Sequence, residues 1–108
     1  MQLMNLKTLQ IIKNGKINKR QYMRLLKFGA EWCAPCRTME ERLKDFTGCE
    51  VKHYDVDSDD KETLDLIEKF GIRSVPTMIL EDENGNVLQT WLGSISISQI
   101  TDEINKHK

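Results

Sequence analysis

Two of the three cysteines in this 108-residue chain have two residues between them, in Trp32-Cys33-Ala34-Pro35-Cys36. A pair at that spacing can exchange disulfides, supply half of a metal site, or sit inert in a core. The surrounding residues argue for exchange. The preceding residues read as a strand and the following ones as a helix, so the pair lies at a helix start. Free backbone N–H groups and the helix dipole favour an anion there. A cysteine in that position gains thiolate character, with a pKa anywhere from about 3.5 to 7.5. Cys33, before the first turn, is expected to be the exposed nucleophile. Cys36, one turn further in, is expected to be more buried and close enough to attack a mixed disulfide on Cys33. Pro35 fits the first turn, where its missing N–H leaves no bond unmade. Two inert core thiols would give Trp32 and Pro35 little reason to flank them. A zinc site would need a second pair, and only Cys49, His53 and His107 remain, at unhelpful spacings.

The elements that must hold this pair can be read from pattern. Met23 to Gly29 has the composition of a strand buried on both faces, interrupted by charge at Arg24 and Lys27. Cys36, Met39, Leu43 and Phe46 recur at helical spacing, and Gly48 is the expected stop. Val51 to Val56 reads as a second strand. Asp59 and Glu62 form a capping-box pair for another helix, with Leu64, Ile67 and Phe70 as its buried stripe and Gly71 as its end. Thr77 to Leu80 and Val87 to Leu92 flank a turn at Asn84-Gly85, as a hairpin requires. Ser96 and Gln99 cap a last helix with Ile97, Ile100 and Ile104 facing inward. Leu6, Leu9 and Ile12 fit a helix face or a short strand, and Asn14-Gly15 breaks either one. Strands alternating with helices, followed by a hairpin, imply an α/β fold: a mixed central β-sheet flanked by helices on both faces.

Size and composition bound the rest. The length suits one domain over residues 1–108, with 31% charged and 39% hydrophobic residues. No apolar run spans a membrane, and the opening residues lack the pattern of a secretion signal, so the cytosol is the expected compartment. Net charge is −1, but residues 1–30 hold seven Lys or Arg and no acid, while all 17 acids lie from Glu31 onward. That segment reads as a solvated basic face or as a docking surface for an acidic partner. Tyr22 and Phe28 are its only aromatics, which counts against nucleic-acid binding. An odd cysteine count argues against a structural disulfide framework. Cys49 reads as a small, half-buried residue.

From Tyr22 to Asn105 the sequence resembles the thioredoxin family. The carriers are Phe28, Ala30-Glu31-Trp32-Cys33, Pro35-Cys36, Asp55-Val56-Asp57, Phe70-Gly71-Ile72-Arg73-Ser74-Val75-Pro76-Thr77, Asn84-Gly85 and Gly93. Both of the chain's prolines fall at family positions. The resemblance implies the thioredoxin-like fold and reversible exchange with protein disulfides, with Cys33 attacking and Cys36 resolving. It implies a cis bond before Pro76, packed on the cysteine pair. It implies a client groove formed by the Val75 backbone, Trp32, Gly93 and the Ala34-Pro35 turn. Re-reduction would come from an NADPH-dependent thioredoxin reductase, and ribonucleotide reductase is one implied client. No bound cofactor is expected, because the disulfide carries the electrons, and nothing demands more than a monomer.

Several positions depart from the family pattern. The family's buried Asp before the motif, which helps move the inner cysteine's proton, is Lys27 here. Three roles are open to Lys27: a neutral base for Cys36, a cation that makes both thiols more acidic and the disulfide more oxidising, or a chain that snorkels outward. Ala34 replaces a glycine, Gly29 a tryptophan, Glu41 a helix proline and His53 a lysine. Two other functions stay open at this stage. One is a non-catalytic binding subunit, which would survive serine at both cysteines. The other is a more oxidising disulfide oxidase or isomerase.

Overall fold

The computed structural model describes residues 22–108. The element order is β1 (Met23–Gly29), α1 (Ala34–Leu43), β2 (Glu50–Asp55), α2 (Lys61–Phe70), β3 (Thr77–Asp82), β4 (Val87–Leu92) and α3 (Ile97–Lys106). The sheet runs β2-β1-β3-β4. β1 pairs parallel with β2 and antiparallel with β3, and β4 closes the far side antiparallel to β3. Because side chains alternate along β1, Met23, Leu25 and Lys27 face one side while Leu26 and Phe28 face the other. The first face packs Met39 and Leu43 of α1 and Ile100 and Ile104 of α3 against Leu25, Met78 and Leu80. The second face gathers Leu66, Ile67 and Phe70 of α2 on Leu26, Phe28 and Ile79. The expected mixed sheet with helices on both faces is therefore present, and β1 is one of its two inner strands. The calls on Leu6, Leu9, Ile12 and Asn14-Gly15 fall outside the described residues.

Four local expectations need correction. α1 stops at Leu43 rather than running to Gly48. Asp45 would set an acid against the negative end of the dipole. The chain instead tightens, with Phe46 N–H donating to the Leu43 carbonyl at 3.1 Å. Gly48 then makes room for the Phe46 ring, since a Cβ there would lie 2.6 Å from Cζ. At α2 the cap is Asp60, not Asp59: its carboxylate accepts from Thr63 N at 3.1 Å and from Thr63 Oγ1 at 3.2 Å. That bond turns buried Thr63 inward and sets the apolar stripe at Leu66, Ile67 and Phe70, leaving Leu64 exposed. Between β3 and β4, Asn84-Gly85 lies within a longer loop, residues 83–86. Asp82 organises it by accepting from Asn84 N, Asn86 N and Asn86 Nδ2, and these bonds hold the Asp82 carboxyl below the usual carboxylate range. Gly85 supplies the positive φ of 85°. The Ser96–Gln99 capping box of α3 is formed as expected. Among the described residues no helix is long and apolar enough to cross a membrane.

The described part of the basic segment is not a free basic face. Arg24 pairs with Glu81 at 2.8 Å, and Lys27 pairs with Glu40 at 3.1 Å. The other five bases of that segment lie outside the described residues. At its end, the Tyr22 hydroxyl donates to Glu50 Oε1 at 2.6 Å, tying the entry of β1 to β2. Burial first, then that bond and the repulsion of the Glu50 charge, push the Tyr22 phenol up to about 12 from its usual 10. A raised pKa favours the protonated folded state, so this contribution is complete below pH 10 and vanishes as pH rises through about 12. Tyr22→Phe should therefore destabilise by ~1 kcal/mol at pH 8. The gap from the parent, followed by chemical denaturation, should close as pH rises above 11.

Candidate functional site

β1 ends at Gly29, and a turn closed by Cys33 N–H donating to the Ala30 carbonyl at 3.2 Å leads into α1. Cys33 is the N-cap of that helix, with extended backbone angles, and Pro35 lies in its first turn. The Cys33 Sγ accepts the Cys36 backbone N–H at 3.2 Å, so the sulfur lies where orphan helix donors would hold a thiolate. Cys33 and Cys36 are joined as a disulfide, their Cα atoms 5.2 Å apart. Their order of exposure is as expected, 5% against 1%, but Cys33 is not an exposed residue in this oxidised state. Its sulfur is turned toward Cys36 instead of solvent. Both pack with Ala30, Val56 and Val75.

The other sequence-predicted residues fall around this pair. Ala34 and Pro35 are exposed on the first turn of α1. Pro76 is fully buried and follows a cis peptide bond from Val75. Val75 reaches the cysteine cluster, and Gly93 N–H donates to the Pro76 carbonyl at 2.8 Å, which draws the end of β4 beside it. Gly93 has φ of 85°, and nothing lies within 4 Å of where its Cβ would stand, so a partner backbone can approach it. Trp32 is 69% exposed, yet its indole is oriented: Nε1 donates to Asp57 Oδ2 at 2.7 Å. Between Trp32 and the Ile72–Val75 loop lies an apolar groove of about 510 Å³, floored by Val56 and Ile67. Cys49 lies apart from the pair, half-buried against the α1 and α3 core. Among the described residues no group of three or more His, Cys, Asp or Glu converges as a metal site would require.

Sequence reasoning missed Asp57 and Glu40. Asp57 stands in a motif noted for its resemblance, but its role rests on a bond across 25 residues. Glu40 carries no local pattern that would single it out, since its role rests on a contact with Lys27 on another element. Of the three roles open to Lys27, outward snorkelling is not what the structure shows: the side chain is only 2% exposed, and its Nζ reaches Glu40 on α1.

A sequence model of the thioredoxin family matches residues 13–106. The chain is 36% identical over 87 residues to a thioredoxin of Haemophilus influenzae, covering 77% of this chain and 78% of that one. It is 31% identical over 87 residues to the chloroplastic M-type thioredoxin of Pisum sativum, covering 77% of this chain and 48% of that longer one. Among solved structures it is similar to a mutant thioredoxin from Halobacterium salinarum, with a TM-score of 0.67 and 25% identity, covering 90% of this chain and 86% of that one. It is also similar to Plasmodium falciparum thioredoxin, with a TM-score of 0.60 and 31% identity, covering 83% and 86%.

Proposed function

This chain belongs to the thioredoxin family, and from that premise we propose that Cys33 attacks client disulfides and Cys36 resolves the product. The Cys33–Cys36 pair makes the chain a thiol–disulfide oxidoreductase that reduces disulfide-containing client proteins. In the proposed sequence the Cys33 thiolate attacks one client sulfur. A Cys33–client bond forms as the client disulfide breaks, and the displaced client sulfur leaves with the electron pair and takes a proton. Cys36 then loses its proton and attacks Cys33 Sγ. The Cys33–Cys36 bond forms, the Cys33–client bond breaks, and the second client sulfur departs. Two electrons and two protons have moved to the client.

The observation that carries this reading is the Cys33 sulfur at the N-terminus of α1, accepting the Cys36 N–H with the Cys36 sulfur in reach behind it. Trp32, Val75 and Gly93 form the client-facing rim, and Ala34-Pro35 shapes the turn below it. The dithiol itself stores the electrons, so no further cofactor is needed. The proposed electron source is an NADPH-dependent thioredoxin reductase, and ribonucleotide reductase is a proposed client. A monomer of one domain over residues 1–108 suffices for this cycle. A dithiol kept reduced suits the cytoplasm, where glutathione and thioredoxin systems oppose stable disulfides.

The test is the reduction potential of the pair in a Cys49→Ser background, by equilibration with defined thiol buffers. A value near about −270 mV is expected for a general reductant. A value near about −180 mV or above would replace that reading with an oxidase or isomerase.

A further inference from the structure

The mixed charges behind the cysteine pair are not used by the exchange chemistry above. A pocket of about 570 Å³, open to solvent, lies at this end of the β1–β2 seam beside α1. Lys27 faces it from β1, Arg37 and Glu40 from α1, His53, Tyr54 and Asp55 from β2, and Glu31 from the turn. Lys27 is the buried member, 2% exposed, while its partner Glu40 is 57% exposed at the rim. Among the described residues Glu40 is the one hydrogen-bond partner of Nζ. The Lys27 chain therefore spans from the strand interior to the pocket wall and places its charge inside the fold.

That charge lies next to the inner cysteine. A Cβ built on Gly29 would stand 2.9 Å from Lys27 Nζ and 3.3 Å from both Cβ and Sγ of Cys36. The ammonium and the inner sulfur thus flank one empty spot, which exists because residue 29 has no side chain. A charge at this range in a partly desolvated site acts far more strongly than it would in water. Its field is also felt on the neighbouring strand. His53, paired in register with Lys27, is held below its usual range by partial burial and by the Lys27 charge, with Glu40 pulling the other way.

We propose that Lys27 is an electrostatic positioning residue that stabilises the Cys36 thiolate during resolution, and that Glu40 sets how much of its charge Cys36 receives. This rests on the resolving role of Cys36 proposed above. Before resolution Cys36 is a thiol, and its proton passes to water at the open pocket. The resulting thiolate forms opposite the Lys27 ammonium, then gives its electron pair to the new bond with Cys33 while the client sulfur leaves. Glu40 competes with the thiolate for the same cation, so the two anions oppose each other: removing the carboxylate leaves more of the Nζ charge to act on the thiolate.

The two partners therefore predict shifts of opposite sign. Cys36 is titrated alone, by thiolate absorbance, in a Cys33→Ser, Cys49→Ser protein. Lys27→Met should lower the thiolate fraction at pH 7 about tenfold, and Glu40→Gln should raise it severalfold. Methionine is close to lysine in volume, and the Glu40 carboxylate left behind is 57% exposed and stays solvated rather than buried and unpaired, so Lys27→Met should fold. A third variant approaches the same geometry from the other side. The Gly29→Ala methyl must displace Nζ, and its effect should follow that of Lys27→Met. Loss of the opposite signs, or a Cys36 titration unmoved by Lys27→Met, overturns the proposal. Client reduction by the parent protein is measured alongside. Its absence would defeat the exchange reading itself, which the Cys36 titration does not depend on.

Discussion

Cys33→Ser is expected to abolish reduction of client disulfides, while Cys36→Ser is expected to stall it halfway. A serine hydroxyl is almost wholly protonated at neutral pH and cannot replace a thiolate as attacking group. Turnover should fall by about a thousandfold or more, as it does when an essential nucleophile is lost. Cys36→Ser keeps the attacking sulfur at the cap of α1, where helix donors still favour its anion. The first bond to the client forms, but no second sulfur is in reach to release it. A covalent adduct should accumulate, visible by mass and released by an added thiol. The order is set by position: Cys33 stands before the first turn, and Cys36 is the more buried, one turn behind. Adducts trapped by Cys33→Ser instead would reverse the assignment. If both serine variants kept the protein's cellular role, the pair would be dispensable and the binding-subunit reading would return.

The local motif was the most legible part of this chain. Cys33, Pro35, Cys36, Pro76 and Gly93 are separated in sequence, yet each has a residue type whose backbone or sulfur chemistry narrows its use. Strand and helix types were also readable, because the core-facing periodicities of α1 and α3 are regular and β1 is apolar apart from Arg24 and Lys27. Element ends were less so. Asp59 and Asp60 are equivalent as local caps, and the choice was made by Thr63, which buries its hydroxyl on Asp60. Leu64 was misplaced as well: Thr63 and Leu66, not Leu64, complete the inward face with Ile67 and Phe70. Lys27 was the hardest to read. A lysine in an apolar strand is locally ambiguous, and its partner Glu40 lies 13 residues away on another element. The glycine that lets Nζ approach Cys36 gives no pattern signal, because what matters there is an absent side chain.

Phe28→Ala is expected to give the largest loss of stability, about 3–5 kcal/mol. The ring is fully buried near the end of β1, stacked on Tyr54 at 5.2 Å and edge-on to Phe70 at 6.2 Å. Truncation loses the transfer energy of the ring, leaves a cavity that β1, β3 and α2 cannot all close, and removes two aromatic contacts of about 0.5–1.5 kcal/mol each. Against a typical total of about 5–15 kcal/mol this is a large fraction. Urea denaturation should show a lower midpoint with an unchanged slope, and Phe28→Leu should recover most of the loss. The cysteine pair rests on a different cluster, Ala30 with Val56 and Val75, and shares only Val56 with the cluster around Phe28. Below its unfolding transition, Phe28→Ala should therefore retain the Cys33 reactivity and the reduction potential of the parent. A shift in potential with the fold intact would mean that the aromatic layer also tunes the disulfide, and that stability and redox poise are set by one core rather than two.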